Sequence, residues 1–191
     1  IHTVFTIQSA FLVTTPPGLD GYSGGAPILG ELACFQLMPK GKDIVVTNDE
    51  GEVNTIKSLD WDQESIDMVK ASFEKVASNE TYIKLLCNGG PIALNKYERN
   101  GNIGGWARTP NDIVLYGINF ENVRIMEYTL LHESGHIIDN RNSGIRTDYM
   151  SIKTSKGCYT YPLFVYCAPD GQPFAEAEAF AEGITVYPCF S

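Results

Sequence analysis

Residues 132–136 read His-Glu-Ser-Gly-His, two histidines four apart with a glutamate beside the first. On an α-helix, with its rise of about 1.5 Å per residue, the two imidazoles lie on one face about 6 Å apart along the axis, so both can reach one ion. Glu133 is too close along the helix to bind that ion with good geometry and is well placed to take a proton from a water held there. From average residue usage, a chain of this length meets such a pentapeptide by chance only roughly once in a hundred or more cases. The apolar approach Tyr128-Thr-Leu-Leu131 and the Ile137-Ile138 that follows point to a helix buried on one side rather than to a surface coincidence.

The chain has three histidines, His2, His132 and His136, and position 142, where an extended motif would carry a third imidazole, is Asn. A catalytic zinc takes three protein ligands and keeps one position open. The third ligand is therefore expected to be a carboxylate, or less readily a cysteine. Phe174-Ala-Glu176-Ala-Glu178-Ala-Phe180-Ala-Glu182 is a strong helix former. It puts Glu178 and Glu182 on one face and turns Glu176 away by about 200°. Phe174, Ala177, Ala181 and Ile184 form an apolar stripe beside that face, so the two glutamates border the core. Buried carboxylates need a partner, and a zinc ion with its histidines supplies one.

The elements that must position these residues follow from periodicity and breakers. Residues 1–60 read as mainly extended, with apolar or β-branched runs at Thr3–Ile7, Ala10–Thr14, Ile28–Met38 and Asp43–Thr47 divided by Pro16-Pro17-Gly18 and Gly24-Gly25. Asp60-Trp-Asp-Gln63 resembles a capping box, and Ile66, Val69, Phe73 and Val76 then recur at helical spacing, predicting a helix over 61–77. Tyr82–Cys87 reads as a short strand closed by Asn88-Gly89-Gly90-Pro91. Asn102-Ile-Gly-Gly105 turns into Trp106-Ala-Arg108, and Asp112–Asn119 reads as a strand, either the wall of a cleft or an interior strand. The motif helix is expected to start near Asn119 or Asn122 and to end before Asn142-Ser143-Gly144. Residues 144–172 read as a long loop or irregular hairpin, of the kind that is usually functional. The expected fold is α+β in a single domain over 1–191: a mixed sheet, the HExxH helix and a second, glutamate-bearing helix.

At 191 residues, 43% hydrophobic and 19% charged, the chain has the composition of an ordinary soluble globular domain, and a monomer is the expectation. Its net charge of −9 argues against a nucleic-acid partner and mildly favours neutral or cationic substrates. No run approaches the roughly 20 apolar residues of a membrane span. The N-terminus lacks the basic stretch of a signal peptide, and a start at Ile1 reads as a processed form. Cys34, Cys87, Cys158, Cys167 and Cys189 have no CxxC spacing. In a secreted protein four of them would pair, with Cys158 and Cys167 closing a short loop; the alternative is a set of buried free thiols. A secreted, disulfide-bonded protein is the expectation.

The combination His132-Glu-Ser-Gly-His136-Ile-Ile-Asp139 and Glu178-Ala-Phe-Ala-Glu182 resembles the gluzincin metallopeptidases related to the anthrax lethal factor catalytic domain and to the secreted Pro-Pro endopeptidases. The resemblance spans roughly residues 61–186, which would then form a zincin-like core. It implies a zinc-dependent endopeptidase acting on a protein or peptide, with proline near the scissile bond as a first guess. By position, His132, His136 and Glu178 would bind Zn2+ and Glu133 would be the general base. Glu182 would hydrogen-bond a ligand histidine, and Asp139 would orient a side chain of the site. The family's helper tyrosine, seven residues before the ligand glutamate, falls on Gly171. An oxyanion still needs a donor; Tyr166 is the first choice, ahead of Tyr159, Tyr161 and Tyr149. The alternatives are an aspartate-ligated zincin using Asp148 or Asp170, whose expected Gly-Thr-x-Asp pattern is absent, and a secreted binding or effector protein with a non-catalytic zinc site.

Overall fold

A computed structural model of the chain describes residues 33–47, 51–77, 79–152, 159–161, 164–166 and 173–186. Its centre is a mixed sheet. Strand β5 (Ile92–Tyr97) lies parallel to β1 (Phe35–Leu37) on one side and parallel to β7 (Asp112–Leu115) on the other. β4 (Ser58–Leu59) continues the β1 edge antiparallel to the end of β5, and β6 (Gly105–Thr109) closes the far side antiparallel to β7. A hairpin of β2 (Ile44–Thr47) and β3 (Val53–Ile56) packs on the open face.

Period-2 alternation splits the sheet's side chains between two cores. Leu94, Ile113 and Leu115 face the helices, together with Phe35, Phe73, Leu86, Leu130 and Ile137. Val114, Tyr97 and Tyr116 face the hairpin with Ile56, Ile44 and Val46. The central strands are covered on both faces, so they carry near-continuous buried runs.

Helix α1 (Gln63–Ala77) starts one residue after Asp62, whose Oδ1 accepts the Ser65 N–H at 2.8 Å. The cap is thus Asp62, within the 60–63 segment expected to hold it. Its other oxygen accepts from Lys96 Nζ at 2.6 Å, and Lys96 also donates to Ser65 Oγ. That network is what lets a lysine sit buried in the central strand.

The strand expected over Tyr82–Cys87 is a helix, α2 (Glu80–Cys87). Asn79 caps it by accepting the Tyr82 N–H, and Tyr82 and Leu86, four apart, turn together into the core. An apolar run of this length fits either element, and the cap decides. A Cys34–Cys87 disulfide ties the end of α2 to the residue before β1. Cys158, Cys167 and Cys189 lie outside the described residues, as do the strands expected at 3–7 and 10–14.

The strand expected over Asp112–Asn119 is shorter. β7 ends at Leu115 and gives way to a 3-10 turn, Gly117–Glu121, in which Asn119 Nδ2 donates to the Tyr116 carbonyl. β7 is an interior strand, and the edge beside the motif helix is β6. Helix α3 (Val123–Arg141) carries the motif; Asn122 caps it by accepting the Arg124 N–H, as one of the two expected starts requires. At its far end the Arg141 guanidinium donates to the carbonyls of Leu86, Gly90, Pro91 and Pro110, locking α3 to the end of α2 and to the turns that precede β5 and β7.

The segment expected to be a long loop or an irregular hairpin does contain a short antiparallel hairpin, of β8 (Tyr159–Tyr161) and β9 (Phe164–Tyr166), and before it a helix that was not expected, α4 (Ile145–Ile152). Helix α5 (Pro173–Val186) follows and packs along α3. The architecture is a mixed sheet with helices, as an α+β fold requires. Among the described residues no helix is long and apolar enough to cross a membrane.

Candidate metal centre

The site forms where α3 meets α5, and small residues set that meeting. A Cβ built on Gly135 would stand 2.7 Å from Ala181 Cα and 3.1 Å from its carbonyl oxygen. Two helices that touch backbone to backbone bring short side chains within reach of one another. Glu178 and Glu182, on the face of α5 that also carries Ala181, are therefore delivered to the two histidines.

His132 Nε2 lies 3.2 Å from His136 Nε2. Glu178 closes the triangle, with Oε2 3.1 Å from His132 Nε2 and Oε1 3.4 Å from His136 Nε2. Ligands held about 2.0–2.2 Å from a tetrahedral zinc stand about 3.3–3.6 Å apart, so these edges are close to those of half-built tetrahedral coordination. His132, His136 and Glu178 together can hold a metal ion, and the donor set, two imidazoles and a carboxylate, fits zinc. His132 and Glu178 are buried, whereas His136 keeps some exposure, so the open side of the triangle adjoins His136.

Around this triangle lies a supporting layer. His132 Nδ1 faces Glu182 Oε1 at 3.4 Å, which turns Nε2 toward the centre. The Tyr128 hydroxyl donates to the same Glu182 oxygen, and its ring stacks on His132 with centroids 5.9 Å apart. Tyr128 was not singled out by sequence; its only signal is a spacing of four residues before His132 on the same helix face. Asp139, also on α3, pairs with Arg146 at 3.4 Å, so it ties α4 to the motif helix beside the site.

Charge is concentrated here in little water. Burial opposes a charged His132, yet hydrogen bonding to Glu178 and Glu182 outweighs it and pushes the imidazole up to about 10. Burial likewise opposes an ionised Glu178, but hydrogen bonds from both histidines bring it down to about 2. Burial also raises Glu133, against the pull of the two histidines.

Glu133 does not join the triangle. Its Oε2 accepts the backbone N–H of Ala107, on β6, at 2.8 Å. The strand comes this near because Gly104 and Gly105 lie flat on α3. A Cβ on Gly105 would meet Thr129 Cγ2 at 2.7 Å and Glu133 Cγ at 2.9 Å, and one on Gly104 would overlap Thr129 Oγ1. Tyr166 ends β9, but its side chain, like those of Tyr149, Tyr159 and Tyr161, lies outside what is described. Asp148 is exposed on α4 and is not part of the metal-holding group; His2 and Asp170 lie outside the described residues.

No family model, curated protein or solved structure matches the chain, so the reading of this site stands on its residues and their geometry.

Proposed function

We propose that this chain is a zinc-dependent endopeptidase of the gluzincin type, with a zincin-like core over 61–186. The observation that carries the reading is the triangle of His132 Nε2, His136 Nε2 and Glu178, with edges of 3.1–3.4 Å, and a buried glutamate beside it that is not part of it. A structural zinc fills all four positions with protein ligands; here three converge and a carboxylate is held in reserve. His132, His136 and Glu178 would hold the ion. Zinc bound there supplies a Lewis acid and brings the ionisation of a water toward neutral pH.

The residues of the chain account for the remaining work. Glu133 takes one proton from the attacking water as the new C–O bond forms. It then gives that proton to the amine nitrogen as the C–N bond breaks, so one water and one peptide bond become a carboxyl and an amino group. Glu182 and Tyr128 keep His132 in the tautomer that presents Nε2. Tyr166 is the proposed donor to the oxyanion, since β9 runs directly before α5. The Cys34–Cys87 disulfide and the absence of a spanning helix among the described residues are compatible with work outside the cell. The test is Glu133→Ala, which is expected to bind zinc as the wild type does and to lose roughly 10²–10⁴-fold in hydrolysis; undiminished hydrolysis removes Glu133 from the base role.

A further inference from the structure

We infer that the edge strand β6 is a positioning clamp on the general base, with the backbone N–H of Ala107 holding Glu133 Oε2 so that the other oxygen alone exchanges the proton. The inference rests on the peptidase reading of the site and adds to it a residue that sequence reasoning passed over.

Three observations converge on this strand. First, the Ala107 N–H is spent on Glu133 at 2.8 Å. Second, the ladder between β6 and β7 shifts register between Ala107 and Thr109, at the point where the strand meets the base. An irregularity of this kind re-aims a strand at the place it occurs. Third, Gly104 and Gly105 permit the approach, for side chains there would run into Thr129 and Glu133 itself. A flexible glutamate beside a metal centre has two failures open to it: it can swing into the coordination sphere, or present either oxygen in turn. A donor fixed in a strand that is paired to the central sheet prevents both. It does so without a side chain whose rotamer must first be ordered.

A contact that only satisfied a buried carboxylate would leave turnover unchanged once the fold was intact, so the test separates the two. Ala107→Pro removes the N–H, while Ala107→Gly keeps it and removes only the methyl. With zinc content equal to wild type, Ala107→Pro is expected to lower kcat by about 10–100-fold with KM within about twofold, and Ala107→Gly to stay near wild type. Should Ala107→Pro fail to fold, the Ala107 amide proton reports the contact in the zinc-loaded wild type without substrate. Glu133→Ala is expected to move that resonance upfield and to speed its exchange with solvent by at least about tenfold. An amide indifferent to Glu133→Ala, or a zinc-loaded Ala107→Pro with undiminished kcat, overturns the clamp. A wild type that binds zinc and cuts no peptide overturns the peptidase reading instead, and with it any catalytic role for the clamp, whatever the amide shows.

Discussion

Gly135 and Ala181 touch backbone to backbone, with 2.7 Å between the position of a Cβ on the first and the Cα of the second. That contact is what brings Glu178 on α5 to 3.1 and 3.4 Å from the two histidines on α3. The glycine inside the His-Glu-Ser-Gly-His stretch is thus a spacer between helices as well as a position between the two histidines.

Gly135→Ala is accordingly expected to push α5 outward and to loosen Glu178 from the histidines. Alanine favours a helix over glycine by up to about 1 kcal/mol, which offsets part of an overpacking cost of about 1–3 kcal/mol. The net change in melting temperature should be small, whereas zinc affinity should fall by at least about tenfold. Competition with a chromophoric chelator reads the second quantity directly; unchanged affinity would show that the helix spacing does not govern the site.

The three layers of the centre should separate by affinity. Glu182→Gln weakens the hold on His132 Nδ1 and is expected to cost roughly 10–100-fold in zinc binding, with Tyr128→Phe at or below the lower end of that range. Glu178→Ala removes a ligand and should cost more than either. Zinc titrations of the three variants test the order; Glu178→Ala with full affinity would move the third ligand elsewhere, to Asp148 or Asp170 among the residues considered.

A pH dependence follows from Asp62. The hydrogen bond from Lys96, then those from the Ser65 N–H and hydroxyl, hold its carboxyl well below its ordinary value of 3.8. A group whose pKa is lowered by folding stabilises the fold above its unfolded value, and the contribution is lost as pH falls through the folded one. Asp62→Asn keeps a capping side chain and leaves Lys96 without its counter-charge. Its melting temperature should therefore lie below wild type from about pH 5 to 7, with the gap closing in acid. Asp62 is largely exposed, so screening keeps the gap to about 2–4 °C. Melting curves across that range check it, and a gap that widened in acid would contradict it.

The residues of the candidate site were legible in sequence because each pair lies within one helical turn: His132 with His136, and Glu178 with Glu182. Asn122, one of two expected starts, and Asn142 marked the ends of the motif helix through equally local capping signals. What escaped depends on tertiary partners. β5 is hard to see as a central strand because Asn95 and Lys96 interrupt it, and their place in the sheet makes sense only once Asp112, Asp62 and Ser65 are there to pair with them. α2 reads as a strand until Asn79 is recognised as its cap. Gly104, Gly105 and Gly135 read as turn or spacer residues, since the side chains they make room for, Thr129, Glu133 and Ala181, lie on other elements or far along the chain. Tyr128 looked like part of an apolar approach, and its hydroxyl acquires a role only when α5 brings Glu182 to it.

Profiling the cuts that the zinc-loaded protein makes in a complex peptide library, beside Glu133→Ala and a chelator-treated sample, decides whether the chain is a zinc peptidase. The expected result is a defined set of cleavages in the wild type that vanishes in both controls and is restored to the chelated sample by zinc. Cleavages that survive in Glu133→Ala, or a zinc-loaded wild type that leaves the whole library intact, would contradict that reading.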